Sequence, residues 1–413
     1  MMLFTLLPDA ALRASDRKTL FDSNWKFHLG IVANAEQPEY NDSHWRVLDL
    51  PHDWSVEPLS FQKQGITTGP FSRMSEGDID TGQTVGGEGW YRKELTLAGS
   101  DADKRIVLYF EGVYNQSELW INGKKANYNV YGYTSYRVDI TPYLNAPGTP
   151  NVIAMKVVNA GRNSRWYAGS GIFRHVWLIK TNKLYLDKWD TFVNASELQK
   201  NEAVIQFSTI VHNEGLQNQS GKIGIKIYSP AGNEVFSTSQ DVILSEGTPV
   251  ATSFSLKKPE LWSVDTPVLY TAEVSLSSDG KEYDKISVPF GIRTLSFSAE
   301  KGFLLNGKSM KLKGGCVHHD NGLLGAAAID RAEERKVELM KANGYNAVRC
   351  AHNQVSEHFL DACDRLGMLV IHETFDQWQK AKREQDYHQF FDEWSDWDLA
   401  ASVRRDRNHP SII

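Results

Sequence analysis

The side chains best suited to chemistry follow three apolar segments in the last quarter of the chain. In chain order they are His318, His319 and Asp320, then Arg349, His352 and Asn353, then His372, Glu373, Asp376 and Trp378. A buried histidine or carboxylate is tolerated only where hydrogen bonds satisfy it. Three successive groups of this kind therefore favour a polar substrate site over structural histidines bonded to the backbone.

Metal and cofactor chemistry are less well supported by the same residues. Histidines and carboxylates on different loops could supply the three or four ligands of a transition metal. However, no compact His-x-His or His-Glu-x-x-His spacing occurs, and no Gly-x-Ser-x-Gly elbow, P-loop or Rossmann turn lies at a predicted strand–helix junction. We predict neither a bound metal nor a cofactor.

Alternating strands and helices, beginning near residue 294, would position these side chains. The pattern predicts strands at Lys311–Val317, Ala347–Cys350 and Met368–His372, and helices at Asp330–Asn343 and Ser356–Leu366. Such alternation implies a parallel sheet, with functional groups at the carboxyl ends of its strands. Three units and the start of a fourth fit either part of a doubly wound sheet or the first part of a (β/α)8 TIM barrel.

Local signals predict where these helices begin and end. Asp330 with Glu333 predicts a capping box, and Gly344 and Gly367 predict left-handed stops. A polar and aromatic segment then continues to Arg407, and we expect it to be helical at least in its second half.

The preceding part of the chain has the pattern of many short strands. Residues 19–182 contain segments such as Arg105–Val113 and Asn151–Asn159, and Asn122-Gly123 suits a type I′ hairpin turn. This region predicts a jelly-roll sandwich. Residues 183–293 continue with strands of different spacing, and their number fits an immunoglobulin-like sandwich.

Composition excludes several classes of partner. The 413 residues carry a formal net charge of −6 without a basic run of five or more, so nucleic acid is not an expected partner. No stretch of 18 uninterrupted apolar residues is present, so no membrane partner is expected. The three cysteines, Cys316, Cys350 and Cys363, predict reduced thiols rather than a disulfide framework.

The first residues of the chain fit two cellular locations. An apolar run at Leu3–Leu7 precedes the small residues Ala10, Ala11 and Ala14. This pattern resembles the end of a secretory signal peptide, which would place the protein in the periplasm or outside the cell. A disordered extension on a cytoplasmic protein fits equally well.

Aromatic residues in polar surroundings add a clue to the ligand. The chain has 12 tryptophans and 16 tyrosines, and Trp54, Trp90, Trp166 and Trp378 lie among polar residues. Flat rings stack on the apolar faces of sugars while neighbouring polar groups bond the hydroxyls. The alternative for any one of them is a place in a sandwich core.

Several motifs along the chain share one resemblance. They are Pro51-His52-Asp53-Trp54, Gly89-Trp90-Tyr91-Arg92-Lys93, the run from Asn163 to Arg174, Leu261-Trp262-Ser263, His318-His319-Asp320, the run from Asn346 to His352, the run from Asp361 to Gly367 and the run from Arg405 to Ile413. Together they resemble family 2 of the glycoside hydrolases, and His318-His319-Asp320 is most similar to its β-galactosidase-like members. The resemblance implies a sugar-binding jelly-roll domain over residues 19–182, an immunoglobulin-like sandwich over 183–293, and an incomplete TIM-barrel catalytic domain over 294–413.

The resemblance also implies an activity, the hydrolysis of β-galactosides with retention by two glutamates. In the family the acid/base glutamate follows the Arg-Asn-His-Pro-Ser motif and the nucleophile lies further on, so both are expected beyond Ile413. We therefore expect these 413 residues alone to be inactive. A non-catalytic carbohydrate-binding fragment or pseudoenzyme, or a β-glucuronidase or β-mannosidase of the same family, remains an alternative. The resemblance is also compatible with a homo-oligomeric full-length enzyme.

The residues implied to contact the sugar are Arg165, His319, His352, Asp376 and Trp378. Two departures from the family pattern lie near them. His372 precedes Glu373 where the family usually has aspartate, and Gln354 replaces the proline that commonly follows the asparagine. Both weaken a prediction of the exact substrate.

Overall fold

The computed structural model describes residues 17–57, 67–68, 71–163, 165–199, 201–215 and 217–413. The signal-like segment Met1–Ala14 and Ser164 of the resembling motif lie outside the described residues. Within the described part, no helix is long and apolar enough to cross a membrane.

The first unit is a β-sandwich, as its strand pattern predicts. Its strands are β1 (Lys18–Leu20), β2 (Trp25–Leu29), β3 (Arg46–Leu48), β4 (Thr67–Thr68), β5 (Phe71–Ser72), β6 (Gly87–Thr96), β7 (Arg105–Phe110), β8 (Gln116–Ile121), β9 (Lys124–Asn129), β10 (Tyr136–Asp139), β11 (Pro150–Asn159) and β12 (Val176–Thr181). The main sheets have the strand orders β1-β12-β7-β10 and β3-β2-β6-β11-β8-β9.

Alternation of apolar residues along these strands creates the sandwich core. Leu108 and Phe110 of one sheet and Met155 and Val157 of the other are fully buried in one cluster, as period-two patterning requires when each sheet has one inner face. Asn122 has a φ of 51° and the next residue, Gly123, has 77°. The type I′ turn prediction is therefore confirmed.

The second unit is a smaller antiparallel sandwich. Its strands are β13 (Leu184–Leu186), β14 (Phe192–Gln199), β15 (Glu202–Asn213), β16 (Gln219–Tyr228), β17 (Glu234–Leu244), β18 (Thr248–Lys257), β19 (Tyr270–Ser278) and β20 (Lys281–Phe290). One sheet pairs β13, β14 and β18 with β15, and the other has the order β17-β16-β19-β20. Inward-facing residues such as Ile205, Phe207 and Ile225 form its core.

An antiparallel sheet that the sequence pattern did not predict leads into the last unit. It has the order β21-β22-β23, formed by Leu295–Ser298, Gly302–Leu305 and Lys308–Ser309. Phe303 and Leu305 pack with Trp262, which is fully buried and donates its indole N–H to the Asp364 carbonyl at 2.8 Å. This contact joins the second sandwich to the last unit.

The last unit is parallel, as its alternating pattern predicts. Strands β24 (Gly314–Val317), β25 (Ala347–Cys350) and β26 (Leu369–His372) pair side by side, with helices α1 (Asp330–Ala342), α2 (Glu357–Leu366) and α3 (Phe391–Asp406). Ile412 forms a parallel bridge with Val370 of β26. The residues after α3 thus begin to pair with β26 on its free edge. Gly344 and Gly367 have positive φ, so both predicted stops are confirmed.

The capping-box prediction is wrong. Helix α1 begins after Ile329, whose apolar side chain cannot accept a capping bond. Glu333 is instead buried and accepts hydrogen bonds from Asn321 at 2.6 Å and Ser356 at 2.9 Å. Asp330 lies 2.8 Å from His175 of the sandwich. Tertiary partners therefore take both carboxylates away from the helix terminus.

Close approach of backbones requires glycine at the start of β24. A Cβ atom on Gly314 would overlap the carbonyl oxygen of Ala347 on the paired strand, whereas one on Gly315 would meet nothing closer than Tyr345 at 3.8 Å. We expect Gly314→Ala to lower the free energy of unfolding by about 1–3 kcal/mol, because the parallel pair must move apart. Urea denaturation measures this change. Gly315→Ala is the matched control, with an expected change within about 0.5 kcal/mol, and equal effects of the two would contradict the explanation.

His175 links the first sandwich to α1 through two carboxylates, with Nδ1 at 2.5 Å from Asp22 and Nε2 at 2.8 Å from Asp330. Burial opposes its charge, but these hydrogen bonds outweigh burial and raise the pKa of His175 from 6.5 to about 10. A raised folded-state pKa stabilises the fold below pH 6.5, and this contribution disappears as the pH rises towards 10.

We therefore expect His175→Gln to cost about 2–3 kcal/mol of unfolding free energy at pH 6 and clearly less at pH 10. Urea titrations of variant and parent at both pH values measure the difference. His44→Gln, on the exposed surface, is the control and should change stability little at either pH. A cost for His175→Gln that is the same at both pH values would refute the charged link.

Candidate active site

A polar cavity lies at the carboxyl ends of β25 and β26. Its volume is about 690 Å³. The residues that line it are Arg349, His352, His372, Glu373, Thr374, Phe375, Asp376, Trp378, Lys380, Ala381 and Lys382. Parallel strands bring their carboxyl ends to one edge, which is why residues far apart in sequence meet there.

Arg349, His352 and Glu373 form one hydrogen-bonded group on the cavity wall. The Arg349 guanidinium donates to both carboxylate oxygens of Glu373, with Nη2 at 3.1 Å from Oε2. His352 Nδ1 lies 3.2 Å from the same Oε2 and 3.1 Å from Arg349 Nη2. Both carboxylate oxygens of Glu373 are thereby engaged, which fixes the orientation of His352 beside the cavity.

Asp376 is the buried carboxylate of the cavity, with 1% of its side chain exposed. Arg165, from the first sandwich, donates to it through Nε at 2.9 Å and Nη2 at 3.2 Å, and Lys382 donates at 2.8 Å. Burial would raise the pKa of Asp376, but the hydrogen bonds from Arg165 and Lys382 hold it below its ordinary value. His352 Nε2 lies 4.0 Å from the same carboxylate.

The sandwich segment that carries Arg165 is held by contacts on both sides. Arg165 precedes a short 3-10 helix, Trp166–Ala168, and the Tyr167 ring stacks on His318 at a centroid distance of 4.0 Å. Asp53 of the first sandwich accepts hydrogen bonds from the backbone N–H groups of Ser170 and Ala326, both at 2.8 Å. This carboxylate joins the segment to the loop after β24.

The structure separates the predicted contact residue His319 from the cavity lining. His319 is buried, its ring lies 4.4 Å from that of Tyr133, and its Nδ1 is 3.4 Å from Arg174 Nη2. Burial and the nearby guanidinium of Arg174 lower its pKa well below the ordinary value, so the ring is neutral. Its Nε2 has no hydrogen-bond partner among the described residues. Contact with a sugar stays a prediction for this residue.

Of the two departures from the family pattern, His372 is half-buried at the cavity and Gln354 is fully buried. His372 lines the cavity with Nδ1 at 3.6 Å from Asp406, and burial lowers its pKa to about 4 despite that carboxylate. The backbone carbonyl oxygen of Gln354 accepts a hydrogen bond from Arg174, and its side-chain amide donates to the Thr134 hydroxyl at 3.2 Å. His372 therefore presents a neutral ring to the cavity, whereas Gln354 ties the two domains together.

Trp378 and Lys382 complete the wall. Trp378 is 66% exposed and packs parallel to Phe391 at a centroid distance of 6.2 Å. Four of the five predicted residues, Arg165, His352, Asp376 and Trp378, thus lie in or directly bonded to the cavity lining. Lys382 was missed, because it lies in a segment without periodicity and no spacing marks it.

A metal centre at this cavity has no support from the described residues. Those residues do contain a cluster whose geometry could suit a metal ion, but it lies away from the cavity. It consists of Asp361, Asp364 and His409. There His409 Nδ1 is 2.6 Å from Asp364, and although burial opposes its charge, that carboxylate raises the pKa of His409 to about 9. A protonated histidine paired with a carboxylate explains this cluster without an ion.

Two β-sandwiches precede a parallel β/α unit with a polar cavity at its strand ends, and family models match all three units. The chain is a member of glycosyl hydrolases family 2. Residues 19–182 match the family's sugar binding domain, 185–293 the domain described as glycosyl hydrolases family 2, and 298–413 its TIM barrel domain. The expected resemblance and fold class are confirmed, and the barrel replaces the doubly wound alternative.

Known relatives extend over nearly the whole chain. Beta-galactosidase BoGH2A of Bacteroides ovatus is 41% identical over 95% of this chain and 45% of its own length. A putative beta-glucuronidase of Formosa agariphila is 34% identical over 96% of this chain and 37% of its own. The crystal structure of a family 2 member from Bacteroides cellulosilyticus has a TM-score of 0.92 at 44% identity, over 96% of this chain and 51% of that one. The chain therefore spans about half the length of such relatives.

The bond between Arg165 and Asp376 should contribute to domain docking, because Asp376 is buried. A double-mutant cycle with Arg165→Ala and Asp376→Asn is expected to give a coupling energy of about 1 kcal/mol, reduced by the partial exposure of Arg165. Urea unfolding of the four proteins measures it. The exposed pair Arg162 and Asp78, 3.9 Å apart, is the matched control, expected below about 0.5 kcal/mol. Equal coupling in both pairs would argue against a special role for the buried bond.

Proposed function

We propose that the complete protein hydrolyses terminal β-galactosides with retention of configuration, and that the cavity at the ends of β25 and β26 receives the sugar. The observation that carries this proposal is the group Arg165, His352 and Asp376, which unites the sandwich and the barrel at one polar cavity. Relatives named beta-galactosidase, at 41% and 31% identity, support the choice of sugar.

Each predicted contact residue has a distinct part in this proposal. Arg165 and His352 offer N–H groups to sugar hydroxyls, and the buried Asp376 carboxylate holds the Arg165 guanidinium in position. The exposed face of Trp378 suits the apolar face of a pyranose. His319 lies outside the lining, and its part would be indirect, through its ring contact with Tyr133 and its contact with Arg174.

The charge pattern of the cavity favours a neutral sugar. Recognition of a uronate carboxylate needs a cation that is not already paired. Glu373 engages Arg349, and Asp376 engages both Arg165 and Lys382. Lys380 is the one lysine or arginine among the described lining residues that has no carboxylate partner. This free cation supports the β-glucuronidase alternative, and so do relatives named beta-glucuronidase.

The cavity's own carboxylates are poorly suited to acid catalysis. A general acid must be protonated near neutral pH and therefore needs a raised pKa. The pKa of Asp376 is lowered instead, and both oxygens of Glu373 accept hydrogen bonds from Arg349. We therefore propose that neither carboxylate is the general acid. As the family resemblance implies, we place both catalytic glutamates outside residues 1–413 and expect these residues alone to give no turnover.

Steady-state kinetics of the complete protein with aryl β-galactoside, β-glucuronide and β-mannoside test the proposal. We expect kcat/KM to be at least about tenfold higher for the galactoside, since mismatched polar groups in a sugar site are costly. Proton NMR of the first product should show the β-anomer. A preference for the glucuronide would establish the alternative enzyme.

The control for this experiment is a polypeptide of residues 1–413 at the same concentration. Nitrophenol release by that polypeptide would refute the assignment of catalysis to other glutamates. Galactose binding by the complete protein without turnover of any aryl glycoside would favour the non-catalytic, carbohydrate-binding alternative.

A further inference from the structure

A separate cavity lies where the two sandwiches and the barrel meet, on the outside of the first sandwich. Its volume is about 510 Å³, which is within the usual range for a small-molecule site, and such sites often lie between domains. Its walls come from the sheet β1-β12-β7-β10, from β19 and β20 of the second sandwich, and from the first residue of α2. Of the described residues, none lines both this junction cavity and the candidate active site.

The strand register gives the junction cavity an apolar and aromatic floor. Leu108 of β7 is buried in the core of the first sandwich, so its neighbours Val107 and Tyr109 face outwards. Across the strand pair, Ile179 of β12 lies opposite Val107, and Trp177 lies opposite Tyr109. All four outward residues line the cavity. A flat ring system would therefore find extensive contact on this floor.

Two polar groups at the edge of the floor have no hydrogen-bond partner among the described residues. Thr181 is 4% exposed, and its buried Oγ1 is unbonded. Arg137 donates through Nη1 to Asp187, whereas its buried Nε is unbonded. An unpaired polar group costs free energy when it is buried, and both side chains line the cavity. The lining therefore favours a bound molecule that accepts hydrogen bonds.

Positive charge exceeds negative charge around the floor, since six lysines and arginines but only three carboxylates line the cavity. Lys18 lies 4.1 Å from the centroid of the Trp177 ring, and among the described residues neither Lys18 nor the exposed Lys188 forms an ion pair. Burial opposes the charge of Glu357, yet these two lysines lower the pKa of that carboxyl. Burial and the charge of Glu357 raise the pKa of the neighbouring Glu111, which therefore offsets less positive charge. The balance favours an anionic ligand.

We propose that the junction cavity binds a small aromatic carboxylic acid. Its ring lies on the floor beside Trp177 and Ile179, and its carboxylate accepts hydrogen bonds from the Thr181 hydroxyl and the Lys18 ammonium group. An uncharged sugar would leave the excess positive charge uncompensated. The site is independent of the proposed hydrolysis of galactosides, and a ligand in it would contact both sandwiches and α2.

The test measures the binding of 2-naphthoate to the complete protein by isothermal titration calorimetry. We expect the parent to bind 2-naphthoate at least about tenfold more tightly than the uncharged 2-naphthalenemethanol, because only the carboxylate pairs with a lysine. Thr181→Val keeps the shape of the side chain and removes a hydroxyl that is unbonded in the protein, so the fold should be retained. We expect this variant to weaken naphthoate binding about three- to tenfold, and Lys18→Met to weaken it about tenfold.

Two lysine variants are the controls. Lys281 lies 5.1 Å from the centroid of the Tyr283 ring but does not line the junction cavity, so Lys281→Met removes a comparable cation outside the site. Lys380→Met removes the unpaired lysine of the candidate active site. Neither should change the Kd for naphthoate.

Equal affinity of the parent for the two probes, or no binding of naphthoate, would overturn the site. So would an unchanged Kd in both Thr181→Val and Lys18→Met. Weaker binding in Lys380→Met would place naphthoate in the other cavity and would equally overturn it. Because the readout is binding and not turnover, the result does not depend on whether the complete protein cleaves galactosides.

Discussion

The buried guanidinium of Arg174 is the interaction on which the arrangement of the first sandwich and the barrel depends. It is 1% exposed and donates to the backbone carbonyls of Tyr133 and Gln354, at 3.1 and 2.6 Å. Burial lowers its pKa to about 10, which is still high enough to keep the charge at neutral pH. A buried charge is tolerated only where its hydrogen bonds are complete, so the two domains can dock in few ways.

This docking determines the geometry of the candidate site. Arg165 and Asp376 are 211 positions apart in the chain, yet they form two hydrogen bonds. Asp53 adds a second fixed point, because its carboxylate binds backbone N–H groups of both domains. The first sandwich therefore contributes directly to the cavity, because its loop supplies the guanidinium that binds Asp376.

Most of the charged side chains that line this cavity are paired with an opposite charge. Its carboxylates are engaged by arginine and lysine, and its buried histidine, His372, is neutral. Such a site is suited to binding and orienting a polar, uncharged molecule, because few of its charges remain uncompensated. Neither Asp376, whose pKa is lowered, nor the neutral His372 is suited to donating a proton near neutral pH.

Much of the fold was predictable because it depends on local patterns. Strand β25 was predicted to the residue, and the stops at Gly344 and Gly367 are present, since both signals are short-range. The capping box at Asp330 failed because His175, distant in sequence, binds that carboxylate. The sheet β21-β22-β23 was missed because its strands are only two to four residues long, too short for a pattern to stand out, although β21 alternates.

The sequence by itself determined the family, the fold class and the strand ends at which functional residues lie. These follow from periodicity and from motifs in which each residue has a local role. Only the tertiary structure decided which of those residues meet. It placed Lys382 beside Asp376 and His319 outside the cavity lining. The physical reason is that domain docking depends on hydrogen bonds between distant residues, which no local pattern encodes.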